Sequence, residues 1–423
     1  MNATAIRNDL RLATVTSKGC RIWDGTGGGP LRFVPHGAWS RTVEWTGENT
    51  LALPDQTGAI LLLSEDGTLR RRVSTQLVRV SKLNLHNTSQ RALMVRSDNS
   101  VSVWSSRDHR VERRISDVYG PARFSPDGQR VALIEETSGG KKRGTAIVDL
   151  SSGRTVSQLT SWARRFAWSP DGRHLLTGTL GLHNRAQLWD VATGNLVRSF
   201  QGQRYINDSH AIPFFVEGRR ITVAGGDDVE LWDRSGRHLK SFESMNRFIH
   251  CAALSPDGQW LACGASKLEI YALNSGERAF AAAGSPIRAI EFGSDGKSIL
   301  TGHHNGEIME GSLTVQKRRL ISGSGARVES ISLGRNGRLW TTHDDGIVRI
   351  RDMKSGQLLV RLAFLWNSND WVAVIPDGRL DGTPAGLAAV VWRTRRGLLT
   401  PAAERQQTLR ATRPGLLRSL GEL

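Results

Sequence analysis

Residues 164–197, RRFAWSPDGRHLLTGTLGLHNRAQLWDVATGNLV, hold the unit on which the rest of the chain is patterned. Three short strands read out of it, at 165–168, 174–179 and 186–190, with tight turns ending at Gly172 and Gly194. The turn residues have separate jobs. Pro170 pre-sets φ for the first central position, Asp171 bonds its own local backbone, and Gly172 supplies the positive φ that returns the chain. Three strands of about five residues form a marginal sheet alone, so the unit needs neighbours on which to stack.

The unit recurs. Trp23, Leu63, Trp104, Val148, Trp189, Trp232, Tyr271, Met309, Arg351 and Trp392 occupy the Trp189 position, at successive spacings of 40, 41, 44, 41, 43, 39, 38, 42 and 41 residues. A second ruler is the glycine closing the first turn, at Gly128, Gly172, Gly218, Gly258, Gly296, Gly337 and Gly378. The two keep step over seven units. A period of about 40–45 residues with four strands per unit, the fourth at 196–200 or 239–242, specifies a β-propeller.

The segments Trp23-Asp24, Trp189-Asp190 and Trp232-Asp233, with the Ser-Pro-Asp-Gly turns, resemble the WD-repeat family. The resemblance implies an all-β fold, a WD-repeat β-propeller of four-stranded antiparallel blades, here with about ten repeat units. The family's Gly-His dipeptide, which normally precedes each unit and helps anchor the Trp, is missing from that place. Units one to three (1–115) lack the clean Asp-Gly turn, whereas units four to ten (116–400) carry both signals. Two arrangements stay open: a seven-bladed ring at 116–400 preceded by three blades of an incomplete ring, or one ring of eight to ten blades. The 369–400 hairpin is expected to close the propeller, with 401–423 as a short basic tail. The chain begins almost inside a strand, which points to an upstream portion. Val391-Trp392-Arg393 and Pro414-Gly415-Leu416-Leu417 also resemble the closing segment of bacterial WD-repeat proteins that often carry a caspase-like peptidase domain. No peptidase accompanies it here, and no cysteine sits in a Gln-Ala-Cys-Arg-Gly-like context.

Composition bounds the function. The formal net charge is +17, and 48 of the 57 basic residues are arginine, scattered in short runs such as Arg70-Arg71-Arg72 and Lys317-Arg318-Arg319. Such a field attracts nucleic acid or an acidic protein surface, while the runs themselves read as solvated strand ends. No apolar run approaches the ~18 residues of a membrane span, and the N-terminus lacks a secretory layout, so a cytoplasmic location is expected. Cys20, Cys251 and Cys263 are too few for a disulfide framework and read as small packed residues.

Catalysis finds little support. His303-His304 followed by Glu307 and Glu310 is the one cluster resembling metal ligands. Neighbouring strand residues point to opposite faces, so these read as turn residues, and no catalytic, cofactor or metal site is expected. A binding role is left. The residue eight before each turn glycine should begin the innermost strand, near the rim of the central channel: Gly120, Arg164, His210, His250, Arg288, Glu329 and Asp370. With Trp162, Tyr205 and Phe248 as aromatic anchors near the entrances, this rim is the expected docking site for a protein partner with an acidic surface. Nucleic-acid binding and a propeller hydrolase are the alternatives.

Overall fold

The computed structural model describes residues 3–6, 12–16, 19–23, 30–35, 44–45, 50–54, 60–64, 68–73, 77–136, 143–161, 163, 165–178, 184–201, 212–216, 220–225, 228–244, 249–283, 285–313, 318–323, 326–390, 393–394, 397–398, 411–414 and 416–419. The chain divides into two compact units, residues 79–362 with 417–423, and residues 1–78 with 363–416.

In the first unit every sheet is antiparallel and built from four consecutive strands. Blade 1 spans 80–116, blade 2 118–159, blade 3 165–201, blade 4 212–243, blade 5 251–283 and blade 6 287–323. Blade 7 begins at 328 and is the leading part of a longer sheet. Along the quoted stretch the strands fall at Arg165–Trp168, His174–Gly178, Asn184–Asp190 and Leu196–Gln201, close to the sequence reading.

Strand alternation explains the stacking. In blade 2, Val131 and Leu133 join a buried cluster with Leu93, Val95 and Val103 of blade 1. Their neighbours Ala132 and Ile134 join Phe166, Leu175 and Trp189 of blade 3. Leu175 and Leu176 split between blades 2 and 4 in the same way, as do Ile299 and Leu300 between blades 5 and 7. Period-two side chains thus give each inner strand two apolar faces, each covered by a neighbour.

Both rulers have a structural meaning. At all nine described positions of the first, from Trp23 to Arg351, the pairing of third and fourth strands shifts register immediately before the marked residue. The ruler therefore marks a β-bulge, which turns the outer strand away. The second ruler marks the turn. In the Ser-Pro-Asp-Gly turns, Ser125, Ser169 and Ser255 each donate to the aspartate two residues on at 2.5 Å. Each serine Oγ also accepts the amide five residues on at 2.9 Å. Gly128, Gly172 and Gly258 sit at φ of +67°, +67° and +68°. The Trp anchor persists without Gly-His: Trp189 Nε1 and Ser161 Oγ both donate to Thr177 Oγ1 at 3.0 Å.

The second unit holds two further four-stranded antiparallel sheets, at 3–35 and 44–73. In it Phe364 and Leu365 pair with Val78 and Leu77, and Trp371–Val374 pairs with Leu380–Gly382. Several expectations are corrected here. The third weak unit belongs to the ring as blade 1, and the observed division falls at 78/79 and 362/363 rather than at 115/116 and 400/401. The 369–400 segment does not close the ring: its hairpin lies in the other unit and runs into helix Pro384–Ala388, capped by Thr383. Nor is 401–423 simply a tail, because the Arg413 amide donates to Leu380 O and Leu416 and Leu417 are buried. Trp392 lies outside the described residues.

Two outcomes follow. Gly172→Ala meets nothing closer than 3.5 Å and should cost only the left-handed penalty, about 1–2 kcal/mol. Gly194→Ala would also place its Cβ 2.9 Å from the Gln158 carbonyl of blade 2, and should cost more; denaturant unfolding giving the reverse order would refute this. The second turns predict acid sensitivity. Hydroxyl and amide donors from Ser151 and Ser152 hold the Asp149 carboxyl down at about 2, and Thr193 and Ser355 depress Asp190 and Asp352 likewise. A depressed carboxylate stabilises the fold above its unfolded value of about 4. That stability is lost as pH falls through the folded value, so the melting temperature should drop between pH 4 and 2, less steeply in Asp190→Asn.

Candidate functional site

The innermost strands of the ring enclose a central cavity of ≈ 220 Å³, lined by residues from blades 1 to 7 that include Lys82, Arg123, Arg165, Cys251, Arg288, Glu291 and Glu329. The four strands of each blade are contiguous in sequence. Blade 1 meets blade 7 through side-chain stitches. The Leu83 amide donates to Ser330 Oγ at 3.1 Å, Lys82 Nζ to the Glu329 carbonyl at 2.8 Å, and Asn87 Nδ2 to the Leu333 carbonyl at 3.0 Å.

Bulges decide which side chains reach the channel. In strand Ile287–Phe292 the pairing steps from Ile287 to Ala289, leaving Arg288 as the extra residue. In strand Val328–Leu333 it steps from Val328 to Ser330, leaving Glu329. A bulge re-aims the side chain it carries, and both residues line the cavity. Gly120 also falls at an irregularity, between Val118 and Ala122, at φ +93°.

The other expected rim positions fare differently. His250 is exposed just before strand Cys251–Leu254, its imidazole pulled down chiefly by partial enclosure and then by Arg288. Asp370 is not on this rim: its carbonyl accepts the Leu365 amide within the other unit. Trp162, Arg164, Tyr205, His210 and Phe248 lie outside the described residues.

Four channel residues escaped the eight-residue rule. Arg123 and Glu291 stand five residues before Gly128 and Gly296, and Arg165 stands seven before Gly172. Odd offsets share one strand face, so strand alternation applied to the same ruler finds them. Lys82 has no ruler, because the first turn of blade 1 ends on Gln90, at φ 55°, instead of glycine.

The electrostatics are lopsided. Glu329 is taken up by Arg79 and Arg327, at 2.9 and 2.6 Å. Burial pushes Glu291 up to about 7 against the pull of Arg123. Arg123 is open to water along the channel yet walled by protein, and that enclosure lowers its pKa. Lys82 is brought down to about 8, first by burial and then by Arg165. Among the described residues no carboxylate pairs with Arg288, and its Nε has no hydrogen-bond partner. Among the described residues the lining carries four cations and two carboxylates, and enclosure draws Lys82 and Arg123 below their ordinary range.

Of the metal-like cluster His304 lies in a turn as expected, whereas His303, Glu307 and Glu310 lie on strands. His303 is buried at the end of a strand, its ring nitrogens bonded to Thr301 Oγ1 at 2.9 Å and Ser285 O at 2.8 Å. Glu310 pairs with Arg319. Among the described residues no three His, Cys, Asp or Glu side chains converge to hold a metal ion. Cys251 and Cys263 are free and one step out of register on adjacent strands.

Comparison with known proteins agrees with the fold. Residues 153–190 and 236–267 match the WD domain, G-beta repeat. Each match starts at a second-turn glycine, so the sequence repeat runs one strand out of phase with the blade. The chain is 30% identical over 142 residues to the pre-rRNA-processing protein crb3/ipi3 of Schizosaccharomyces pombe, covering 28% of this chain and 32% of that one. It is 23% identical over 191 residues to the WD repeat-containing protein SL1-17 of Schistosoma mansoni, covering 40% of this chain and 64% of that one. The chain thus spans about a third of one curated relative and just under two thirds of the other. The fold is an all-β WD-repeat propeller of four-stranded antiparallel blades. No described helix is long and apolar enough to cross a membrane.

The seam gives a direct test. Ser330→Ala removes the acceptor for a buried Leu83 amide and should cost about 1–3 kcal/mol. The Leu83 amide should then exchange hydrogen faster than amides of blades 3 to 5; uniform exchange across the ring would show that the seam is not a weak joint.

Proposed function

We propose that the protein is a non-catalytic docking platform whose channel rim takes an acidic segment of a protein partner. The supporting observation is Arg288, carried into the channel mouth on a bulge with no anionic partner among the described residues. Arg165 and Arg288 pair with the partner's carboxylates, and an arginine fork suits such groups in bidentate geometry. His250, Glu329 and Gly120 shape the rim. Arg164, His210, Trp162, Tyr205 and Phe248 belong to this reading by their sequence positions, the aromatics as anchors. WD-repeat propellers are in general non-catalytic protein-binding scaffolds, which agrees with it. The resemblance of the C-terminal segment assigns the partner, on this proposal, to a caspase-like peptidase system in a bacterial cytoplasm.

A second reading, charge-driven nucleic-acid binding, draws on the +17 net charge and on a relative named for pre-rRNA processing. One experiment separates the two: fluorescence anisotropy with a labelled oligoglutamate peptide and with duplex DNA, for wild type and Arg288→Glu across a salt series. Docking expects a single peptide site weakened at least tenfold by Arg288→Glu. Peptide binding indifferent to that change, with DNA binding that falls steeply with salt, would replace it by the second reading.

A further inference from the structure

We infer that the interior of the central channel is a binding site for one small multivalent phosphate oxyanion, held by Lys82, Arg165 and Arg288. This goes beyond the docking proposal: it draws on the same channel cations but places a small occupant inside the channel rather than a protein segment on its rim. Three observations support it. First, the three side chains line the same cavity from blades 1, 3 and 6, with Cys251 of blade 5 in the wall beside them. Second, the nearby acids are spent. Glu329 is held by Arg79 and Arg327, and Glu291 faces Arg123, with burial raising its carboxyl against that pull. Third, the space fits a small guest. A cavity of ≈ 220 Å³ is far above the ~10–15 Å³ that one water needs, yet it is bounded by the inner strands of the ring and is too small for a folded protein segment.

Cations crowded in a partly dry space repel one another, and an anion among them removes that cost. Lys82 reports this. Burial, Arg165 and Arg79 lower its pKa, while Glu329 and Cys251 raise it. A bound oxyanion raises it further, so binding near pH 8 takes up a proton.

The test is calorimetric titration of the full chain with sodium tripolyphosphate at low ionic strength, pH 8, in two buffers of different ionisation heat. Inositol hexakisphosphate, run in parallel, distinguishes an inorganic polyphosphate from an inositol polyphosphate as the source. The expected result is one site per chain, net proton uptake, and affinity at least tenfold weaker in both Arg288→Gln and Arg165→Gln. Arg154→Gln, an exposed control, should match wild type. Thermal unfolding of each variant confirms the fold before titration. Several weak equivalents unaffected by either channel variant, no binding of either polyphosphate, or binding without proton uptake would overturn the inference. Failure here with oligoglutamate capture still dependent on Arg288 leaves docking standing; capture indifferent to Arg288→Glu removes docking alone.

Discussion

Burial of each blade's two faces against its neighbours is the interaction on which everything else depends. Val131 and Ala132 are adjacent in sequence and point into different inter-blade clusters. Neither cluster exists without two blades, so no blade can dry its own surface alone. This makes the ring nearly one-dimensional in its energetics, with one place where the order of the chain is broken. There, polar stitches from Ser330, Asn87 and Lys82 join strands nearly two hundred and fifty residues apart.

Much of this was legible because the repeat is written in turn chemistry. A glycine at positive φ and an aspartate bonding the next amides are local requirements, so they appear in the sequence wherever the turn appears in space. Where another residue fills the left-handed position, the signal fades while the geometry stays. Blade 1 is the example: Gln90, Asn99 and His109, at φ of 55°, 56° and 52°, stand at its turns. Its three β-turns therefore looked weak, and the boundary was expected some forty residues too late. The opposite error occurred at Pro376-Asp377-Gly378. The turn is real, with Gly378 at φ +89°, but a turn does not say which sheet its hairpin joins. That choice is tertiary, and a short helix capped by Thr383 follows the hairpin.

The candidate site was half legible. The ruler located Arg288 and Glu329 by distance from a glycine, and the structure puts both on bulges that present them to the channel. Their neighbours on the regular face, Arg123 and Glu291, required the alternation as well as the ruler. What no spacing contains is the local field. Glu329 resembles a counter-ion for the channel until Arg79 and Arg327 are seen to occupy it. The Arg79 contact depends on blades 1 and 7 meeting, which only the closed ring brings about.

The division of the chain has a consequence for how the molecule is made. Val78 pairs with Phe364, so the segments that flank the ring must come together although residues 79–362 intervene. In an extended chain, closing such a loop is entropically costly. A finished propeller brings its own first and last residues side by side at its seam and removes most of that cost. In order of synthesis Val78 emerges first and Phe364 only after the whole of 79–362, so this pairing is among the last contacts the chain can make.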